Sequence, residues 1–168
     1  MFTVEQTYDL ASVTALCRAA RKTVRKIGRI VHGVLWGIFI LLAALSLWLV
    51  ILGGTPGFWT VVVMALMLAL LLLRDRLDGW LVLRGMLPGT AHSVTAFEDG
   101  EYVVTTDSTV TSYQYANITQ LCETERYFFF FLGDKHGQIF DKKGFRTGST
   151  EAFRTFIEQK TGLSFKKV

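Results

Sequence analysis

Val34–Leu52 reads VLWGIFILLAALSLWLVIL and Phe58–Leu73 reads FWTVVVMALMLALLLL, with GGTPG at 53–57 between them. The first stretch is apolar or small throughout, broken only by Ser46. As a helix its nineteen residues cover about 28 Å, close to the hydrocarbon thickness of a bilayer. The second covers about 24 Å and is slightly short on the same measure. Arg74 and Arg76 can snorkel from its end, and Leu77, Trp80, Leu81 and Leu83 can prolong it at an interface. Glycine and proline end the first helix and force a reversal, so the two form an antiparallel hairpin, with spans expected at about 34–52 and 58–76.

Working outward, the charges sort themselves around this hairpin. From Gly33 to Leu73 there is no Asp, Glu, Lys, Arg or His. Residues 1–32 carry a net charge of +4, residues 74–90 a net +1 and residues 91–168 a net −1. The basicity flanks the apolar stretch, and the loop between the spans has none. The positive-inside rule then places both termini in the cytoplasm. The first span starts too late and is too long for a cleaved signal peptide. Nucleic-acid binding is not expected, because it would want the positive charge on one face of the folded part. No ionisable group lies between Gly33 and Leu73, which argues against transport by this chain alone.

Three regions follow: an N-terminal arm at 1–32, the hairpin at 33–87 and a β domain at 88–168. In the arm, FTVEQT at 2–7 alternates like a short strand. Asp9 suits a helix N-cap. From Leu10 an apolar stripe through Val13, Leu16, Cys17, Ala20, Val24, Ile27 and Val31 predicts a helix running into the first span. Arg18, Lys22, Arg25 and Arg29 fall on another face and are candidates for contact with anionic headgroups. A topology signal beside a packed stripe is the plainer reading of the same residues. Gly33 and Gly37 form a small-xxx-small pair, a candidate site for close helix packing or self-association.

After Pro88-Gly89 the period changes to two. Strands are expected at 93–97 and 101–106 around the Glu98-Asp99-Gly100 turn, at 109–115, 118–123, 126–132 and 138–141. Arg126–Leu132, RYFFFFL, is too apolar for a half-exposed strand and must be central. A last helix starts near Ser149, turns Phe153, Phe156 and Ile157 inward, and stops at Gly162. The class is α+β: a two-helix transmembrane hairpin with a small antiparallel β domain of five or six strands, capped by a C-terminal helix.

No catalytic motif, cofactor fingerprint or metal-ligand spacing is present, so no catalytic, cofactor-binding or metal residues are assigned. Cys17 and Cys122 stand apart and are expected as reduced thiols. Glu123 and Glu125 at a turn read as solvated acids. Lys142, Lys143 and Arg146 form a basic loop that can meet anionic headgroups or simply be solvated.

The strand ending Phe97-Glu98-Asp99-Gly100, then Tyr113-x-Tyr115-x-x-Ile118 leading to Glu123, the aromatic run Tyr127–Leu132, and Lys143-Gly144-Phe145 ahead of a helix with Phe153 and Phe156 resemble the YcxB-like membrane proteins of bacteria. One departure is Asp141-Lys142, where the family usually has a proline. The resemblance implies a β domain similar in outline to a pleckstrin-homology fold, a place in the bacterial inner membrane and no defined biochemical activity. The expected function is therefore a non-catalytic membrane protein whose β domain serves as an interaction or regulatory module. Its expected partners are the lipid bilayer and a protein partner or a second copy of the chain. The alternatives are a self-protection protein against a membrane-active toxin or bacteriocin, and an accessory subunit of a larger membrane complex.

Overall fold

The computed structural model describes residues 1–24, 26–133 and 136–168, without the side chains of residues 26, 27 and 29. The chain begins with strand β1, Phe2–Thr7, followed by helices α1, Leu10–Thr23, α2, Lys26–Ile51, and α3, Phe58–Gly85. Strands β2, His92–Phe97, β3, Glu101–Thr106, and β4, Val110–Gln114, come next. They lead into β5, Gln120–Glu123, β6, Tyr127–Phe131, β7, Gly137–Asp141, and β8, Phe145–Thr147. Helix α4, Thr150–Thr161, and a two-residue strand β9, Lys166–Lys167, complete the chain.

Helices α2 and α3 are long and apolar enough to cross a membrane, and within the protein almost nothing covers them. Leu41 is 60% exposed, whereas Leu121 in the β domain is fully buried. Exposed leucine, isoleucine, valine and tryptophan run the length of both helices. The second helix is longer than the expected 58–76 because its last three turns have a partner of their own in α1. Leu71 and Gly79 are its buried residues.

Two sheets make the β domain. One has strand order β4-β3-β2-β1-β8 and the other β7-β6-β5-β9. β1 lies between β2 and β8, with Val4 opposite Thr95 and Phe2 opposite Phe97. The segment drawn as a separate arm therefore contributes an interior strand to the domain that starts 85 residues later, and the boundary at residue 88 does not divide two cores. The strands exceed the expected five or six because β1, β8 and β9 join. The pairing is antiparallel except between β5 and β9.

Between the sheets lie Val4, Phe97, Tyr102, Leu121, Phe128, Phe130 and Phe140, closed at one end by Phe153 and Ile157 of α4. Phe97 sits 4.7 Å from Phe153 and 5.3 Å from Phe140, ring centre to ring centre. Such aromatic pairs add about 0.5–1.5 kcal/mol each beyond burial. Ser149 caps α4 by accepting from Ala152 N, and Gly162, at φ 66°, ends it. Both ends fall where the sequence places them.

The alternation of β6 explains its composition. Phe128 and Phe130 point into the sandwich. Tyr127, Phe129 and Phe131 point the other way, onto Ala19 and Ala20 of α1. Every residue of the strand is buried because each face has a different cover.

Helix α1 is thus the bridge between the domain and the apolar helices. Asp9 caps it in a reciprocal box with Ser12. Its second face lies on α3. A Cβ on Gly79 would stand 2.7 Å from Thr14 Oγ1 and 3.0 Å from Thr14 N, so only glycine permits this approach. Arg21 donates to both oxygens of Asp75 at 2.8 and 2.6 Å. In place of the expected single helix from Leu10 into the first span there are two, α1 ending at Thr23 and α2 beginning at Lys26. The Thr23 hydroxyl bonds back to Ala19 O at 2.6 Å at the end of α1, a pattern that bends helices.

Candidate functional site

The principal cleft of the β domain, about 700 Å³, lies beside the β5–β9 edge. It is lined by Glu123, Glu125, Arg126, Lys142, Arg154 and Lys167, with Tyr127 at one side. The parallel pairing of β9 with β5 sets Lys167 opposite Glu123. Glu123 is only 5% exposed. Arg154 of α4 donates to its Oε1 at 2.7 Å and Lys142 to its Oε2 at 3.2 Å. Lys142 also lies over the Phe128 ring at 4.5 Å, which holds the ammonium in place. A carboxylate held by two cations satisfies the rule that buried charges are paired.

The expectation of solvated acids is corrected here. Glu125 lines the open cleft, but Glu123 is buried and clamped. Around them stand four cations, Arg126, Lys142, Arg154 and Lys167, against three carboxylates once Asp141, the partner of Arg126, is counted. Arg126 is turned partly aside, bonded to Asp141 at 3.1 Å and lying over the Tyr127 ring at 4.9 Å. The Asp141 carboxylate holds the Arg126 guanidinium above its usual range. Burial pushes the Tyr127 phenol up, and its hydroxyl has no hydrogen-bond partner among the described residues. Among the described residues no group of His, Cys, Asp or Glu has the arrangement of a metal site. Lys167 and the outer parts of Arg126 and Arg154 are the cations the cleft presents to solvent.

The structure separates the residues that the sequence groups as one basic loop. Lys142 turns into the cleft, Lys143 is exposed, and Arg146 leaves along β8 to bond Glu5 of β1. His92 meets the same carboxylate at 2.8 Å. His92 and Arg146 together hold the Glu5 carboxyl below the usual carboxylate range. Asp141 accepts from Lys143 N at 2.9 Å and caps a short 3₁₀ turn over Lys142–Gly144. A Cβ on Gly144 would collide with the Glu5 carbonyl, which explains the glycine of Lys143-Gly144-Phe145.

On the N-terminal side, Arg18 meets Asp75 at 3.4 Å and remains 61% exposed, while Lys22 is exposed on α1. Arg25 and the side chain of Arg29 lie outside the described residues. Gly33 and Gly37 face away from the rest of the protein, with nothing within 4 Å of where a Cβ would be. Within the chain the close helix contact falls on Gly79. Sequence reasoning missed Gly79, Arg126, Arg154 and Lys167. Glu123 and Arg154 are 31 residues apart, and no local spacing joins them.

Fold and site define a chain with two membrane-length apolar helices bound, through one bridging helix, to a two-sheet α+β domain with a cation-rich cleft. Residues 97–157 match the family described as YcxB-like protein. The match holds Glu123, Arg126, Lys142 and Arg154, and ends before β9. No curated protein and no solved structure matches the chain.

Proposed function

We propose that this is a non-catalytic protein of the bacterial inner membrane, with α2 and α3 spanning the bilayer and both ends of the hairpin cytoplasmic. Its β domain, similar in outline to a pleckstrin-homology fold, serves as an interaction module that takes an acidic segment of a protein partner into the cleft. The observation that carries this is the clamp on Glu123. Two cations already neutralise the buried carboxylate, and Lys167 stands beside it at the open side of the cleft. The cleft therefore has positive charge to spare and a fixed geometry. The rigid link through α1 supports the same reading, since a bound partner would be held at a set distance from the bilayer.

The test is site-specific photo-crosslinking in membranes of the native host, with the crosslinker at Glu125. One protein adduct is expected, and Lys167→Glu should remove it while the chain stays inserted. An adduct indifferent to Lys167→Glu, or none at any cleft position, would overturn the proposal.

A further inference from the structure

Two grooves meet where α1 lies on α3. One, about 360 Å³, is lined by Leu10, Leu73, Leu77, Trp80 and Arg76. The other, about 450 Å³, is lined by Leu10, Ala11, Thr14, Ala15, Arg18 and Arg76. They share Leu10 and Arg76, so one continuous crevice has an apolar half and a cationic half. Leu73 is the last residue of the charge-free run, and Trp80 stands about 10 Å further along the helix. The headgroup layer is about 5–8 Å deep on each side of the hydrocarbon, so Arg76, about 4.5 Å past Leu73, falls within it and Trp80 at its outer edge.

The charge count leaves the arginines of the crevice in surplus. Arg18, Arg21, Arg74 and Arg76 stand at this level against Asp75 and Asp78. Asp75 is taken at two points by Arg21, which leaves Arg18 only its longer 3.4 Å contact. Among the described residues Arg76 makes no ion pair. Arg84, two turns beyond Arg76 on the same face, lies over the Trp80 ring at 5.3 Å. A further polar group in the lining, Thr14 Oγ1, is buried and has no hydrogen-bond partner among the described residues.

We infer that this crevice is a binding site for one anionic phospholipid of the surrounding bilayer. Its phosphate lies between Arg18 and Arg76, an acyl chain runs from there along Leu73 toward the hydrocarbon, and Leu77 and Trp80 flank the headgroup. The occupant is a lipid and not a free phosphate because half of the crevice is apolar and its charged half opens at headgroup depth. The inference rests on the membrane-spanning reading above. It deepens that reading by giving the bridging helix a lipid ligand as well as a structural role.

The test uses the full-length protein. Flotation with phosphatidylcholine vesicles first checks insertion, and a chain that does not float overturns the membrane reading and this inference together. Native mass spectrometry from neutral detergent then compares retention of phosphatidylglycerol with phosphatidylcholine. One phosphatidylglycerol should be retained in preference. Arg18→Gln with Arg76→Gln should reduce that preference by about 25-fold, about fivefold for each arginine. Leu77→Gln should weaken retention of both lipids without changing their ratio, and Lys143→Gln should change neither. Glycerol phosphate, the soluble headgroup, should not displace the lipid. Equal retention of the two lipids, indifference to the double variant, or displacement by glycerol phosphate would each overturn the inference while leaving insertion intact.

Discussion

Helix α1 makes two contacts of opposite character. Toward β6 and β7 it presents Ala15, Leu16, Ala19 and Ala20, and meets Phe129, Phe131 and Ile139 in a dry apolar layer. Toward α3 it presents Thr14, Arg18 and Arg21, and meets Gly79 and Asp75 through a close backbone approach and a two-point ion pair. The first contact depends on buried area, the second on shape and charge. The difference teaches how a small domain is fixed to a pair of long, apolar, uncovered helices. In the membrane-spanning reading, leucines on α3 would gain little by leaving lipid for another apolar surface, which fits a contact made with small and polar groups. Against the sheet the alternative is water, and the hydrophobic effect is available in full.

This comparison can be broken at either face. Phe129→Ala should have the largest effect, about 3–5 kcal/mol, since the ring is fully buried between β6 and α1. Hydrogen exchange should show lost protection in α1 and β6, with the β2–β3 hairpin less affected. Equal loss across all strands would mean that the two sides of β6 are one cooperative core. Gly79→Leu should cost about 1–3 kcal/mol, because the added side chain must push Thr14 away. Thermal unfolding in detergent should fall accordingly, with the midpoint of the sheet core little changed if the two contacts are independent.

The smallest effect sharpens the comparison by touching neither face. Asp9→Ala should cost about 1 kcal/mol through loss of the N-cap. The Ser12 backbone N–H, with the Ser12 hydroxyl, holds the Asp9 carboxyl below its usual range in the folded chain. A lowered folded value means stabilisation present above the unfolded value, near 3.9, and lost as pH falls through the folded one. The gap between wild type and Asp9→Ala should be constant from neutral pH down to about 4 and close below it. A gap that widened in acid would remove the capping explanation.

Much of the β domain was legible because its signals are local. The turn at Glu98-Asp99-Gly100, the aromatic alternation of β6 and the Ser149 and Gly162 ends of α4 each need only a few neighbouring residues. The demand that RYFFFFL be central was correct, but the sequence named only one burial for it. The second cover, α1, comes from more than a hundred residues upstream. The basic loop shows the converse failure. Lys142, Lys143 and Arg146 are close in sequence, yet a 3₁₀ turn and the start of β8 send them to a cleft, to the exterior and to Glu5.

The cleft and the bridging contact were not legible at all. Glu123 reads as a surface acid until α4 and the 142–144 turn supply Arg154 and Lys142. Gly79 reads as one glycine among several in an apolar helix until Thr14 is set against it.

By itself the sequence determined the apolar hairpin, the change of period after Pro88 and the terminal helix, because helix length, side-chain periodicity and capping act between residues a turn or two apart. Only the tertiary structure decided that β1 lies inside the sheet, that α1 joins sheet to hairpin, and that Glu123, Lys142, Arg154 and Lys167 share one cleft. Those outcomes depend on which surfaces meet, and a buried face is matched by shape and charge to partners that the chain brings from far along its length.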